Sequence, residues 1–164
     1  MQHPEHQWRM SEQLGLQPCH PWHRDGWFVT ALLAGVVFWG LLWLTTPVAP
    51  LTWYQVLSWR FFSLALWQPC WEELLFRGVL QGYVRQYSWG RWRWHGLTGA
   101  NVLASGLFVL GHVATHPPGW ALAVFGPALL FGWLRDRYGT VYPALALHAW
   151  YNAGYFWLTG FPAA

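Results

Sequence analysis

"WYQVLSWRFFSLALWQPCWEELLFRGVLQGYV", Trp53 to Val84, is the stretch whose reading decides the fold. It is apolar over most of its length and too long for a simple membrane span of ~20 residues. It contains Pro69, so the sequence predicts a kink or break there. Its centre, "QPCWEELLFRG" (Gln68 to Gly78), sets Glu72, Glu73 and Arg77 into the apolar run. A charge at the centre of a membrane helix costs roughly 2.5–3.5 kcal/mol on insertion scales, so such charges pair with one another or mark function.

The rest of the chain supports a membrane setting. Of 164 residues, 55% are hydrophobic and 9% are charged, against roughly 25% charged in an ordinary soluble domain. A soluble helical protein would need more surface charge. The sixteen tryptophans suit a chain with many positions at the membrane–water interface. The fold class expected is all-α: a polytopic transmembrane helix bundle of about five membrane-embedded segments around a polar cavity. The segments are Trp27–Leu44, Trp53–Val84, Leu97–Thr115, Trp120–Leu134 and Val141–Leu158. "TTPVAP" (Thr45 to Pro50) and "THPPG" (Thr115 to Gly119) read as turns.

Residues 1–25 read as a polar, mobile cytoplasmic tail and 26–164 as the transmembrane domain. His3, His6, His20 and His23 lie in the tail and read as solvated rather than metal-binding. No small-x-small cleavage site follows the first apolar run, so it reads as an uncleaved span. Cys19 and Cys70 form no metal-type pair and no expected disulfide.

All nine basic residues are arginine, and the formal net charge is +3. They stand in ones and twos at the ends of apolar segments, which argues against a nucleic-acid partner. Arg9 and Arg24 precede the first segment, Arg85, Arg91 and Arg93 follow the second, and Arg135 and Arg137 follow the fourth. With five spans these fall on one side, which places the N-terminus in the cytoplasm. "SWGRWRWHG" (Ser88 to Gly96) alternates Arg and Trp, as suits a segment beside lipid head groups. Only Arg60 and Arg77 lie within apolar segments.

Spacing separates the roles of the buried polar residues. Glu73 and Arg77 are i,i+4 and share a helix face, as an ion pair requires. Glu72 points about 100° away and is less well neutralised by Arg77. It is therefore the better candidate for a catalytic carboxylate, and Glu73 for a structural one. His148 and Asn152 are also i,i+4, as are Phe108 and His112. Asn101 and His116 complete the polar set. Reckoned from the segment boundaries, Glu72 lies ~28 Å from Trp53, near the cytoplasmic end, and His112 ~22 Å from that same end on the third segment. At those depths the two do not meet.

"EELLFR" (Glu72 to Arg77), "FVLGH" (Phe108 to His112) and "HAWYN" (His148 to Asn152) resemble, in order, the three motifs of the CPBP family. These are the CAAX-processing and bacteriocin-processing intramembrane proteases, also called the Abi family. The motifs are Glu-Glu-x-x-x-Arg, Phe-x-x-x-His and His-x-x-x-Asn or Asp, and the resemblance covers about Gln68 to Asn152. It implies an intramembrane endopeptidase acting on a membrane protein or peptide substrate in the lipid bilayer. Glu72, helped by His112, would activate water, and His148 with Asn152 would form the oxyanion hole. Glu73, Arg77 and Phe108 would support them, and no cofactor is expected. The resemblance to short bacterial members implies a multi-pass protein of the bacterial inner (plasma) membrane. Some of those act on C-terminal protein-sorting tails, in JDVT-type and myxosortase-like systems.

Two other readings compete. A zinc-dependent protease would use Glu72, His112, His148 and Asn152 as ligands, but His-Glu-x-x-His is absent and His116 directly precedes Pro117 and Pro118. A non-proteolytic membrane scaffold or immunity protein would have no need for Glu72. No Gly-x-Ser-x-Gly nucleophile is present.

Overall fold

The structure is a computed structural model and describes residues 10–18, 21–114 and 116–162. His3, His6, Arg9, Cys19 and His20 lie outside them. The described chain is mostly helical, and its one sheet is a two-residue antiparallel hairpin, β1 (Arg93–Trp94) and β2 (Leu97–Thr98).

A short helix, α1 (Met10–Leu14), comes first. Asp25 then caps α2 (Gly26–Thr45) by accepting the Trp27 N–H at 2.8 Å. This helix has an apolar face all round, and among the described helices it is the one long and apolar enough to cross a membrane. A single turn, α3 (Trp53–Val56), precedes the central helix α4, residues 59–84. The break expected at Pro69 falls instead at Ser58, whose side chain accepts the Phe61 N–H and restarts the helix. From there α4 continues without interruption through Pro69. It alternates α turns with two wider π stretches, Ser63–Trp67 and Leu74–Leu80, which bracket the α turns of Gln68–Glu73. The first π stretch is how the helix accommodates proline. The Gln68 N–H reaches back five residues to Ser63 O, and Pro69 has no N–H to give. The Leu64 carbonyl is satisfied from another helix, by the side-chain amide of Asn152 at 3.1 Å.

A turn of helix, α5 (Ser88–Arg91), and the hairpin lead into α6 (Gly99–Val113), capped by Thr98. The expected fourth segment is divided at Val124 into α7 (Pro118–Ala123) and α8 (Phe125–Tyr138). The last helix is α9 (Tyr142–Thr159). At the centre, Phe28 and Ala31 of α2 meet Phe131 and Leu134 of α8 and Ala144 and Leu147 of α9. Helices α6 and α8 approach closely: a Cβ at Gly132 would overlap the Asn101 side chain. Asn101 donates to Leu129 O at 2.9 Å and accepts from Ser105, so it ties helices together.

The N-terminal stretch that reads as a mobile tail is docked over its described part. The α1 backbone lies against α4, where a Cβ at Gly82 would overlap the Gln13 carbonyl. Arg135 donates to the carbonyls of Glu12 and Gln13, and Thr140 donates to that of Gly15. These contacts are made by main chain, so the polar side chains of this stretch do not reveal them.

Candidate active site

The depths of Glu72 and His112 agree once the helix boundaries are known. Phe76 of α4 packs edge-on against Phe108 of α6, ring centroids 5.1 Å apart. Glu72 lies one turn before Phe76 and His112 one turn after Phe108, on helices that run in opposite directions. Both therefore stand one turn above the same aromatic contact. Counted from the hairpin end, Glu72 is ~18 Å along α4 and His112 ~20 Å along α6. The earlier mismatch came from starting the helix at Trp53.

His148 sits between the two glutamates. Its Nδ1 is 2.9 Å from Glu73 Oε1 and its Nε2 is 3.5 Å from Glu72 Oε2. Phe131 stacks flat on the imidazole at 4.7 Å, and Phe108 meets it edge-on at 6.0 Å. An ionised carboxylate only accepts hydrogen bonds, so Glu73 directs the Nδ1 proton toward itself and turns Nε2 toward Glu72.

The two carboxylates differ in access. The Glu72 side chain is 19% exposed, whereas that of Glu73 is 1% exposed. Glu72 Oε1 accepts from Gln68 Nε2 at 2.9 Å, one turn earlier on α4. Glu73 Oε2 lies 3.5 Å from Arg77 Nε, close enough for an ion pair, but neither atom makes a hydrogen bond. The pairing is therefore one of charge in a dry interior, where Coulomb attraction is least screened. Arg77 is buried, donates from Nη2 to Ala128 O at 2.8 Å and lies 5.1 Å from the centre of the Phe108 ring. Phe76 and Phe131 stand at 6.0 and 5.9 Å from the same guanidinium carbon, so three aromatic rings surround the cation.

His112 reaches this cluster through Phe108. The two rings are 4.4 Å apart, and His112 Nδ1 lies 2.9 Å from the Phe108 carbonyl oxygen. His116 stacks on His112 at 5.5 Å. Asn152 stands one turn beyond His148 on α9. Its side-chain amide donates to Leu64 O, and a primary amide carries a second proton besides that one. Glu72, Glu73, Arg77 and His148 thus form one cluster, which Phe108 joins to His112, while Asn152 is tied to Leu64 O one turn further along α9. Gln68 and Phe131 are the neighbours that sequence reasoning missed. Gln68 had a signal, since it lies i,i+4 before Glu72 on an apolar helix. Phe131 had none. Among the described residues, no group of three or more His, Cys, Asp or Glu side chains is placed to hold a metal ion.

This arrangement can generate a nucleophile from water. A partly open carboxylate is held on one side by an amide and on the other by an imidazole, and the imidazole is itself oriented by a buried carboxylate. A family model described as type II CAAX prenyl endopeptidase Rce1-like matches residues 52–154. The chain belongs to this family of membrane-embedded proteases, which is part of the wider CPBP group. No curated protein and no solved structure matches the chain.

Proposed function

We propose that the chain is an intramembrane endopeptidase that cleaves a membrane-associated protein or peptide with water activated by Glu72. The observation that carries this reading is the unequal environment of the two adjacent glutamates. Glu73 is enclosed with Arg77 and His148, and the Glu72 side chain stays partly exposed. Glu72 takes a proton from water as the oxygen attacks the scissile carbonyl, with His112 assisting from the facing helix. The carbonyl becomes a tetrahedral oxyanion, held by an N–H donated from His148 Nε2 and by the second amide proton of Asn152. The C–N bond then breaks, and Glu72 returns its proton to the departing amine. One peptide and one water give one acid and one amine.

The membrane reading extends to topology. Large apolar side chains lie exposed along α2, α4 and α6, among them Leu33, Val37, Leu41, Leu66, Leu75, Val79, Leu107 and Leu110. Contiguous exposure of this kind fits a lipid-facing surface. With α4, α6, the α7–α8 pair and α9 crossing alongside α2, the arginine-rich ends share the cytoplasmic side of a bacterial inner membrane. A C-terminal sorting tail is the substrate type that the likeness to short bacterial members favours. The test is a map of membrane-protein termini in cells with and without the chain. New termini in its presence are the expected result; an unchanged set of termini counts against proteolysis.

A further inference from the structure

The hairpin end of the bundle, remote from Glu72, contains a separate polar cavity of about 340 Å³. Three guanidinium groups line it, from Arg85, Arg91 and Arg135, against one acid, Glu12. Surface arginines ordinarily extend into water, but these three are held in place. Arg91 Nη1 donates to Gln86 O at 2.6 Å and to Arg85 O at 3.2 Å. Arg85 Nη1 lies 3.3 Å from Asp136 Oδ1. Arg135 is almost wholly buried; its Nε donates to Arg77 O and its Nη2 to Glu12 O and Gln13 O. Among the described residues, these bonds leave Nε and Nη2 of both Arg85 and Arg91 uncommitted. With Glu12 in the lining and Asp136 paired to Arg85, the three guanidinium groups leave one positive charge in excess, and a bound anion would neutralise it.

The surroundings identify the kind of anion. At the same end of α4, Tyr83 and Tyr87 share a hydroxyl–hydroxyl hydrogen bond of 2.7 Å, Tyr87 stacks on Trp89, and Trp89 and Trp92 are exposed. Clustered exposed Trp and Tyr mark the head-group level of a bilayer. Basic pockets between helices at that level suit phospholipid head groups. The side chains of Gln13, Gln17 and Gln86 also line the cavity and offer neutral donors and acceptors.

We propose that this cavity binds the phosphoglycerol head group of an anionic phospholipid, with the phosphate on Arg85 and Arg91 above the buried charge of Arg135 and the glycerol hydroxyls on the glutamines. The inference rests on the membrane placement of the chain and not on the catalytic assignment. The test uses the whole protein in nanodiscs of phosphatidylcholine alone or mixed with phosphatidylglycerol. Wild type should retain phosphatidylglycerol selectively by native mass spectrometry and melt at a higher temperature in the mixed discs. The preference should fall about 5-fold in Arg91→Gln and about 25-fold in Arg85→Gln/Arg91→Gln, as about 1 kcal/mol per arginine at an anionic surface requires. Arg93→Gln, on the hairpin, should keep it. If the double variant fails to fold, the exposed single variant Arg91→Gln still decides the matter. Equal retention of both lipids by wild type, or an undiminished preference in Arg91→Gln, would overturn the proposal. So would an equal rise in melting temperature with glycerol 3-phosphate in detergent, which would make the ligand a soluble phosphate.

Discussion

His148 Nδ1 and Glu73 Oε1 are 2.9 Å apart, in the interior of the bundle, and this contact decides which way the imidazole faces. Glu73 is therefore more than a counter-ion to Arg77, because it orients the ring that stands beside Glu72. His148→Gln should fold and lose activity by ~10²–10³-fold, the usual scale for one oxyanion donor. Single-turnover cleavage, with circular dichroism to verify folding, checks this. Activity within a few-fold of wild type would remove His148 from the chemistry.

The Leu64 carbonyl and Asn152 form a pair that a double-mutant cycle can separate from catalysis. Asn152→Ala leaves that carbonyl unsatisfied and should cost about 1–3 kcal/mol of stability. Pro69→Ala restores a backbone N–H to the same turn, so the double variant should melt higher than Asn152→Ala alone. Activity should stay low in both. Recovery of activity together with stability would show that Asn152 serves only the helix.

Arg77 and Glu73 should behave as a buried pair. Arg77→Met leaves a buried carboxylate uncompensated and should destabilise by about 3–5 kcal/mol. Adding Glu73→Leu should restore much of that stability without restoring cleavage. Melting temperatures of the two singles and the double measure the coupling.

Asp25 provides a pH-dependent contact outside the membrane segments. The hydrogen bond from Arg137 at 2.9 Å, and then the Trp27 N–H, hold its carboxyl below its usual 3.8. A lowered folded value means that the contribution is present above the unfolded value and is lost as pH falls through the folded one. Asp25→Asn should therefore lower the melting temperature near neutral pH, and the difference from wild type should shrink as pH falls below 3.8. A difference that persists at acid pH would assign the effect to the shape of the cap instead.

Much of this was legible in the sequence because it is local. Apolar runs located the helices, and i,i+4 spacing paired Glu73 with Arg77 and set Glu72 apart. The i,i+4 rule also applied to Gln68 and Glu72, but that contact went unread. Other features depend on contacts between distant parts of the chain. His148 meets Glu73 across 75 positions, and no periodicity encodes that meeting. Pro69 signalled a break by the rule for a proline inside a helix. The rule failed because the helix widened and Asn152, 88 positions from Leu64, took up the orphaned carbonyl. The actual break at Ser58 had a capping signal, a serine three residues before Phe61. The docking of α1 is made by main-chain carbonyls, and its trace in sequence is the i,i+4 pair of small residues, Gly78 and Gly82, that lets them approach.

The central claim is that the Glu72 carboxylate is the general base, and the most direct measurement compares cleavage by wild type and Glu72→Gln at matched expression and melting temperature. Glu72 is partly open and its loss breaks no buried pair, so the variant should fold as wild type does. Its cleavage of the membrane substrate should fall by ~10²–10⁴-fold. Cleavage at the wild-type rate by a folded Glu72→Gln protein would contradict the account.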